Sequence, residues 1–90
     1  MKRVRVIISG NVQGVFFRAG IKKQANMLDI NGFVKNKEDG TVEAIFEGDD
    51  DDIDEIIEFC KEGPRGAQID DVEVEEEEYK EEFEDFEVRV

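Results

Sequence analysis

The feature of this chain that most restricts its fold is a change of hydrophobic period. Val4, Val6 and Ile8 alternate with Arg3, Arg5 and Ile7, the period of a strand with one buried face. Phe17, Ile21, Ala25 and Leu28 then recur at helical spacing, with Lys22, Lys23 and Gln24 off that face, which predicts a helix from about Arg18 to Asp29. Between them, Gly10 to Phe17 (GNVQGVFF) breaks both patterns with two glycines and reads as a loop. Asn31-Gly32 is expected to end the helix and Gly32–Asn36 to form a short strand.

The second half repeats the alternation. Lys37-Glu38-Asp39-Gly40 reads as a hairpin turn, the Asp-Gly pair supplying the positive φ angles of tight hairpins. Thr41 to Gly48 is its partner strand, with Val42, Ala44 and Phe46 on one face. Ile53, Ile56, Ile57 and Cys60 make a second amphipathic helix whose start lies among Asp49 to Asp52, where carboxylates cap free N–H groups and complement the helix dipole. Gly63-Pro64 stops it. Ile69, Val72 and Val74 predict a fourth strand, and Phe86, Val88 and Val90 a short terminal edge strand, while Tyr79 to Asp85 fits no element.

The order β-α-β-β-α-β plus a terminal strand matches the ferredoxin-like α+β sandwich: one domain over residues 1–90, an antiparallel sheet with two helices on one face. A right-handed crossover sends the first two strands in the same direction. The third, antiparallel by its hairpin, sits between them. The loop after the first strand, the start of the first helix and the end of the second strand then share one end of the sheet, about 10 Å apart.

Charge narrows the function classes. The net charge is −13, yet residues 1–37 hold eight Lys/Arg and one acid, whereas residues 38–90 hold four Lys/Arg and 24 acids. The N-terminal part is a basic island in an acidic chain. The total disfavours nucleic-acid and membrane-surface partners. One cysteine and no histidine leave no zinc ligand set and no intrachain disulfide. No apolar run approaches the roughly 20 residues of a membrane span, and Met1-Lys2-Arg3-Val4-Arg5 opens no signal peptide, so a cytoplasmic location is expected.

Inside the island lies a candidate anion site. Two glycines let a loop curl its N–H groups inward, and the loop feeds a helix N-terminus, which favours anions. Arg18 stands at that junction with a guanidinium suited to two phosphate oxygens. Asn36 lies across the gap, and an amide both accepts and donates, so it can hold a neutral water. Each part has a plainer reading: Arg18 as a solvated helix start, Asn36 as a hairpin-end asparagine. The acidic runs read as solvated surface: from Asp50 the EF-hand template places Glu55 and Lys61 where it requires Gly and Glu. Cys60 lies on the apolar stripe of the second helix and reads as an inert buried thiol.

Gly10-Asn11-Val12-Gln13-Gly14-Val15-Phe16-Phe17-Arg18 resembles the signature G-x-V-Q-G-V-x-F-R of the acylphosphatase family. Gly32-Phe33-Val34-Lys35-Asn36 with Asp39-Gly40-Thr41-Val42-Glu43-Ala44 is similar to its second block, although Lys35 stands where arginine is frequent. Gly63-Pro64, Gly66-Ala67 and Asp71-Val72-Glu73-Val74 resemble its third. The resemblance implies hydrolysis of the carboxyl–phosphate bond of acyl phosphates, without metal or cofactor, and a monomer is expected. Carried over, Asn11, Val12, Gln13, Gly14, Val15, Phe16, Phe17 and Arg18 form the phosphate site, and Arg18 and Asn36 are catalytic, Asn36 orienting the attacking water. The resemblance also implies that the substrate's own phosphate takes the water's proton. The alternative from the residues alone is a non-catalytic ferredoxin-like module that binds a phosphorylated metabolite or a partner protein.

Overall fold

A computed structural model describes residues 1–13, 16–64 and 66–89. Along the chain run β1 (Lys2–Asn11), α1 (Phe17–Met27), β2 (Asn31–Asn36), β3 (Val42–Gly48), α2 (Asp50–Glu62), β4 (Gln68–Glu77) and β5 (Phe86–Arg89). They form one sheet in the order β4-β1-β3-β2-β5. The first four strands pair antiparallel with one another, and β3 lies between β1 and β2 as the crossover argument requires. The fifth joins parallel to β2, which makes the sheet mixed. Val90, expected in that strand, lies outside the described residues.

Period-two alternation sends Val4, Val6 and Ile8 to one face with Val34, Val42, Ala44, Phe46 and Phe86. Phe17, Ile21 and Ala25 of α1 and Ile53, Ile56 and Cys60 of α2 close that face. Burial pushes the pKa of the Cys60 thiol up to about 12. At pH 8 it is almost wholly a thiol, so a disulfide-exchange reagent is expected to label the native protein negligibly and the unfolded protein stoichiometrically. Fast labelling of the native protein would contradict the inert reading.

Several boundaries differ from the sequence expectation, each for a local reason. β1 does not stop before Gly10 but continues to Asn11 through a bulge at Ser9/Gly10. Gly10 has φ +131, and a Cβ there would stand 2.1 Å from the Gln68 carbonyl oxygen, so this glycine serves close strand approach. α1 spans Phe17–Met27 and ends at Asp29, which takes a left-handed φ of 53 while Ile30 N–H bonds back to the Ala25 carbonyl. β2 begins at Asn31, one residue before the expected Gly32, so Asn31 belongs to the strand and not to the helix end. At the hairpin only Gly40 of the Asp-Gly pair has positive φ. Gly40 N–H bonds Lys37 and Lys37 N–H bonds Thr41, a bulged turn that needs one such residue. The Asp49 side chain makes no capping bond to α2. Asp50, Asp51 and Asp52 in the first turn act on the dipole alone.

The acidic segment that fitted no element has a topological role. β4 and β5 lie at opposite edges, so residues 78–85 cross the whole sheet, roughly 19 Å at four strand spacings. They cross the face without helices. Lys80 and Glu82 N–H donate to the Glu47 carboxylate at 3.1 and 3.0 Å. The Phe83 ring meets Phe33 edge-on at 5.8 Å, with the Arg3 guanidinium over it. This strap covers Glu47 on the second face of β3, while Glu43 on that face lies against Arg5 and Lys35, and with Ile45 they are buried along with Val42, Ala44 and Phe46.

Candidate active site

Strand register brings three chain segments to one end of the sheet. Ile8 of β1 and Asn36 of β2 both align with Val42 of β3, one from each side. Arg89 of β5 aligns with Lys35 of β2 in a parallel pair, so the C-terminal ends of β2 and β5 lie together. The connection out of β1 and the first turn of α1 begin at this same end.

The α1 terminus is bare. Phe16 precedes it in a left-handed conformation at φ 65, with no side-chain cap and no acid in the first turn among the described residues. Among the described residues nothing compensates its N–H groups and positive dipole end, the arrangement that favours an anion. Arg18, in that first turn, donates from Nη1 to the Arg89 carbonyl at 2.7 Å. One carbonyl occupies one of five guanidinium donors and fixes the orientation of the rest. In a chain with 25 acids, Arg18 has no carboxylate partner among the described residues, whereas Arg3, Arg5, Lys35 and Arg89 each have one.

Asn36 ends β2. Its Oδ1 is buried and has no hydrogen-bond partner among the described residues. Such an acceptor costs about 1–3 kcal/mol, which a bound O–H donor removes. Asn36 also lines an open cleft of about 620 Å³ with Lys35, Lys37, Glu38 and Asp39. Lys35 lies 3.6 Å from Glu43. Burial raises the Glu43 carboxyl, but the Arg5 hydrogen bond and charge, with Lys35 and Lys37 nearby, outweigh it and hold the carboxyl below its ordinary pKa. Lys35 is thereby partly neutralised. A groove of about 500 Å³ between α1 and β5, lined by Ala19, Lys22, Lys23, Asn26, Met27 and Val88, is mostly apolar and offers no comparable set.

The other expected phosphate-site residues divide by role. Asn11 pairs with Gln68 at the end of β1. Val12 and Phe17 put their side chains into the core, and Phe16 is 76% exposed. Gly14 and Val15 lie outside the described residues. Gln13 does something that composition did not signal. Its Nε2 donates to the carbonyls of Lys37 and Thr41 at 2.7 and 2.9 Å, joining the β1–α1 connection to the hairpin beyond Asn36. The Arg89 carbonyl was also missed, because a backbone acceptor leaves no trace in side-chain chemistry. Among the described residues no group of three or more Cys, Asp or Glu is placed to hold a metal ion, and no helix is long and apolar enough to cross a membrane.

Comparison with known proteins agrees with this geometry. The acylphosphatase family pattern matches residues 4–88. The acylphosphatase of Rubrobacter xylanophilus is 53% identical over 76 residues, covering 84% of this chain and 69% of that protein. That of Syntrophus aciditrophicus is 46% identical over 88 residues, covering 98% and 92%. The crystal structure of acylphosphatase from Bacillus subtilis superposes with a TM-score of 0.95 at 32% identity over 100% of both chains. With matching fold, a family pattern over residues 4–88 and relatives of this identity, one of them over 92% of its length, the chain belongs to the acylphosphatase family.

Proposed function

We propose that this chain hydrolyses the carboxyl–phosphate bond of acyl phosphates, releasing a carboxylate and inorganic phosphate, with Arg18 and the β1–α1 connection holding the phosphoryl group and Asn36 holding the water. The observation that carries these roles is the buried Asn36 Oδ1, without a hydrogen-bond partner among the described residues, at the strand end beside the carbonyl that orients Arg18. The phosphoryl oxygens take the Arg18 guanidinium and the bare N–H groups of α1. A water O–H donates to Asn36 Oδ1, which turns an oxygen lone pair toward phosphorus. The water oxygen forms the new P–O bond as the bond to the carboxyl oxygen breaks, and the carboxylate leaves with that electron pair. The water's proton passes to a phosphoryl oxygen of the substrate.

Acyl phosphates have a good leaving group, so positioning and charge stabilisation are sufficient and no strong base is needed. The supporting facts are local and hold among the described residues: a guanidinium bound to a carbonyl and to no carboxylate, a helix end without a side-chain cap, and an amide oxygen without a hydrogen-bond partner. Incubating the purified protein with acetyl phosphate and excess chelator is expected to give catalysed loss of acetyl phosphate with equimolar phosphate. Tight phosphate binding with no turnover above the spontaneous rate would instead favour a non-catalytic phosphate-binding module.

A further inference from the structure

We propose that Gln13 is a positioning residue that sets the separation between the phosphoryl group and the attacking water. The proposal rests on the phosphate and water roles given above. The two halves of the site sit on different segments: the phosphoryl-binding groups on the β1–α1 connection and α1, the water-holding amide at the end of β2. Strands β1 and β2 do not touch, because β3 lies between them. Among the described residues, the two bonds from Gln13 Nε2 to Lys37 and Thr41 are the only side-chain hydrogen bonds between residues 10–17 and 37–41.

The hairpin does not need Gln13 to close. Gly40 N–H already donates to the Lys37 carbonyl and Lys37 N–H to the Thr41 carbonyl. Asp39 further accepts from both the N–H and the hydroxyl of Thr41. Gln13 uses the second lone pair of each carbonyl, so its bonds add no closure to the turn and serve to join it to the connection. One amide nitrogen holding two acceptors fixes direction as well as distance. Lys37 is the neighbour of Asn36, so a shift of this joint moves the carboxamide relative to Arg18 directly. Misplacement by about 1 Å between reacting groups costs on the order of 100-fold in rate.

The test is a double-mutant cycle on the full chain with acetyl phosphate, reading kcat, KM and competitive inhibition by inorganic phosphate. Gln13→Met keeps the side-chain length and removes the donors. We expect kcat to fall about 10-fold or more, while KM and the phosphate inhibition constant stay within about threefold. In an Asn36→Ala background the same change is expected to cost almost nothing further, because the group it positions is gone. Gln13→Glu, which presents acceptors to two carbonyls, is expected to lose at least as much turnover as Gln13→Met. The proposal is overturned by wild-type kcat in Gln13→Met, by a phosphate inhibition constant that rises in step with the loss, or by an undiminished loss in the Asn36→Ala background. Full turnover in Asn36→Ala itself would sink the water-holding role, whereas an inactive Asn36→Ala beside a fully active Gln13→Met sinks only the role of Gln13.

Discussion

Arg18→Ala is expected to lose both phosphate binding and turnover, with kcat/KM for acetyl phosphate falling about 1,000-fold or more. Loss of one preorganised donor from a site of developing negative charge costs about 100- to 1,000-fold, and a guanidinium brings several donors together with a full charge. The fold should survive. Alanine is the better helix former, and removing a cation from the positive end of α1 relieves an unfavourable dipole interaction. Unfolding midpoints within a few degrees of wild type would show this. Asn36→Ala is the informative contrast: inorganic phosphate should still inhibit, with its constant little changed, while kcat drops by about 100-fold. Equal loss of phosphate affinity in both variants would mean that Asn36 grips the phosphoryl group and leaves the water to something else. Arg18→Lys should recover only part of the activity, since an ammonium carries the charge without the planar fork.

The second large effect is on stability and lies at Glu47. Its side chain is 3% exposed and accepts from Lys80 N–H, Glu82 N–H and Arg3 Nη1. All of its partners are donors. Glu47→Gln keeps the shape but turns one acceptor into an NH2 facing a donor, so even this isosteric change is expected to cost about 2–3 kcal/mol. Glu47→Ala should cost about 3–5 kcal/mol, a large share of the roughly 5–15 kcal/mol by which such domains are stable. Urea unfolding would measure both.

pH provides an independent check. Burial by itself raises the Glu47 carboxyl, but the two backbone N–H groups and Arg3 outweigh it, so its folded pKa lies below the ordinary value of 4.5. A depressed folded pKa contributes stability that is complete above the unfolded pKa and is lost as pH falls through the folded one. The advantage of wild type over Glu47→Gln should therefore be constant from neutral pH down to about 5 and shrink below about 4.5. The difference between the two proteins is the right quantity, because protonating the other 24 acids also relieves self-repulsion in a −13 chain and shifts both curves together. An advantage that grew on acidification would rule out the carboxylate role.

Much of this architecture was legible because the two periodicities are clean. Val4, Val6 and Ile8 on β1 and Ile53, Ile56 and Cys60 on α2 were placed on the buried faces they occupy. The misread positions share a cause, which is that backbone geometry overrides composition. Asn31 looks like a helix end, yet β2 already begins there, one residue ahead of Gly32, where a Cβ would stand 1.8 Å from the Ile45 carbonyl oxygen. The left-handed turn fell to Asp29, a residue able to take that conformation at low cost. The acidic stretch 78–85 has no period, and its course follows from the pairing of β4 and β5 at opposite edges, a relation between distant residues. At the site, Arg18 and Asn36 were marked by residue type. The Gln13 joint and the Arg89 carbonyl were not, since both depend on which backbone oxygens lie within reach.

That carbonyl ties chemistry to the timing of folding. Arg18 is oriented by β5, which pairs with β2 across more than 50 residues of chain and reaches its edge only after the strap has traversed the sheet. Long-range pairings of this kind form late. Phe86 of the same strand completes the hydrophobic interior, so during refolding acyl phosphate turnover should recover together with the last part of the spectroscopic signal of core formation, the working arginine coming to rest only as that interior is sealed.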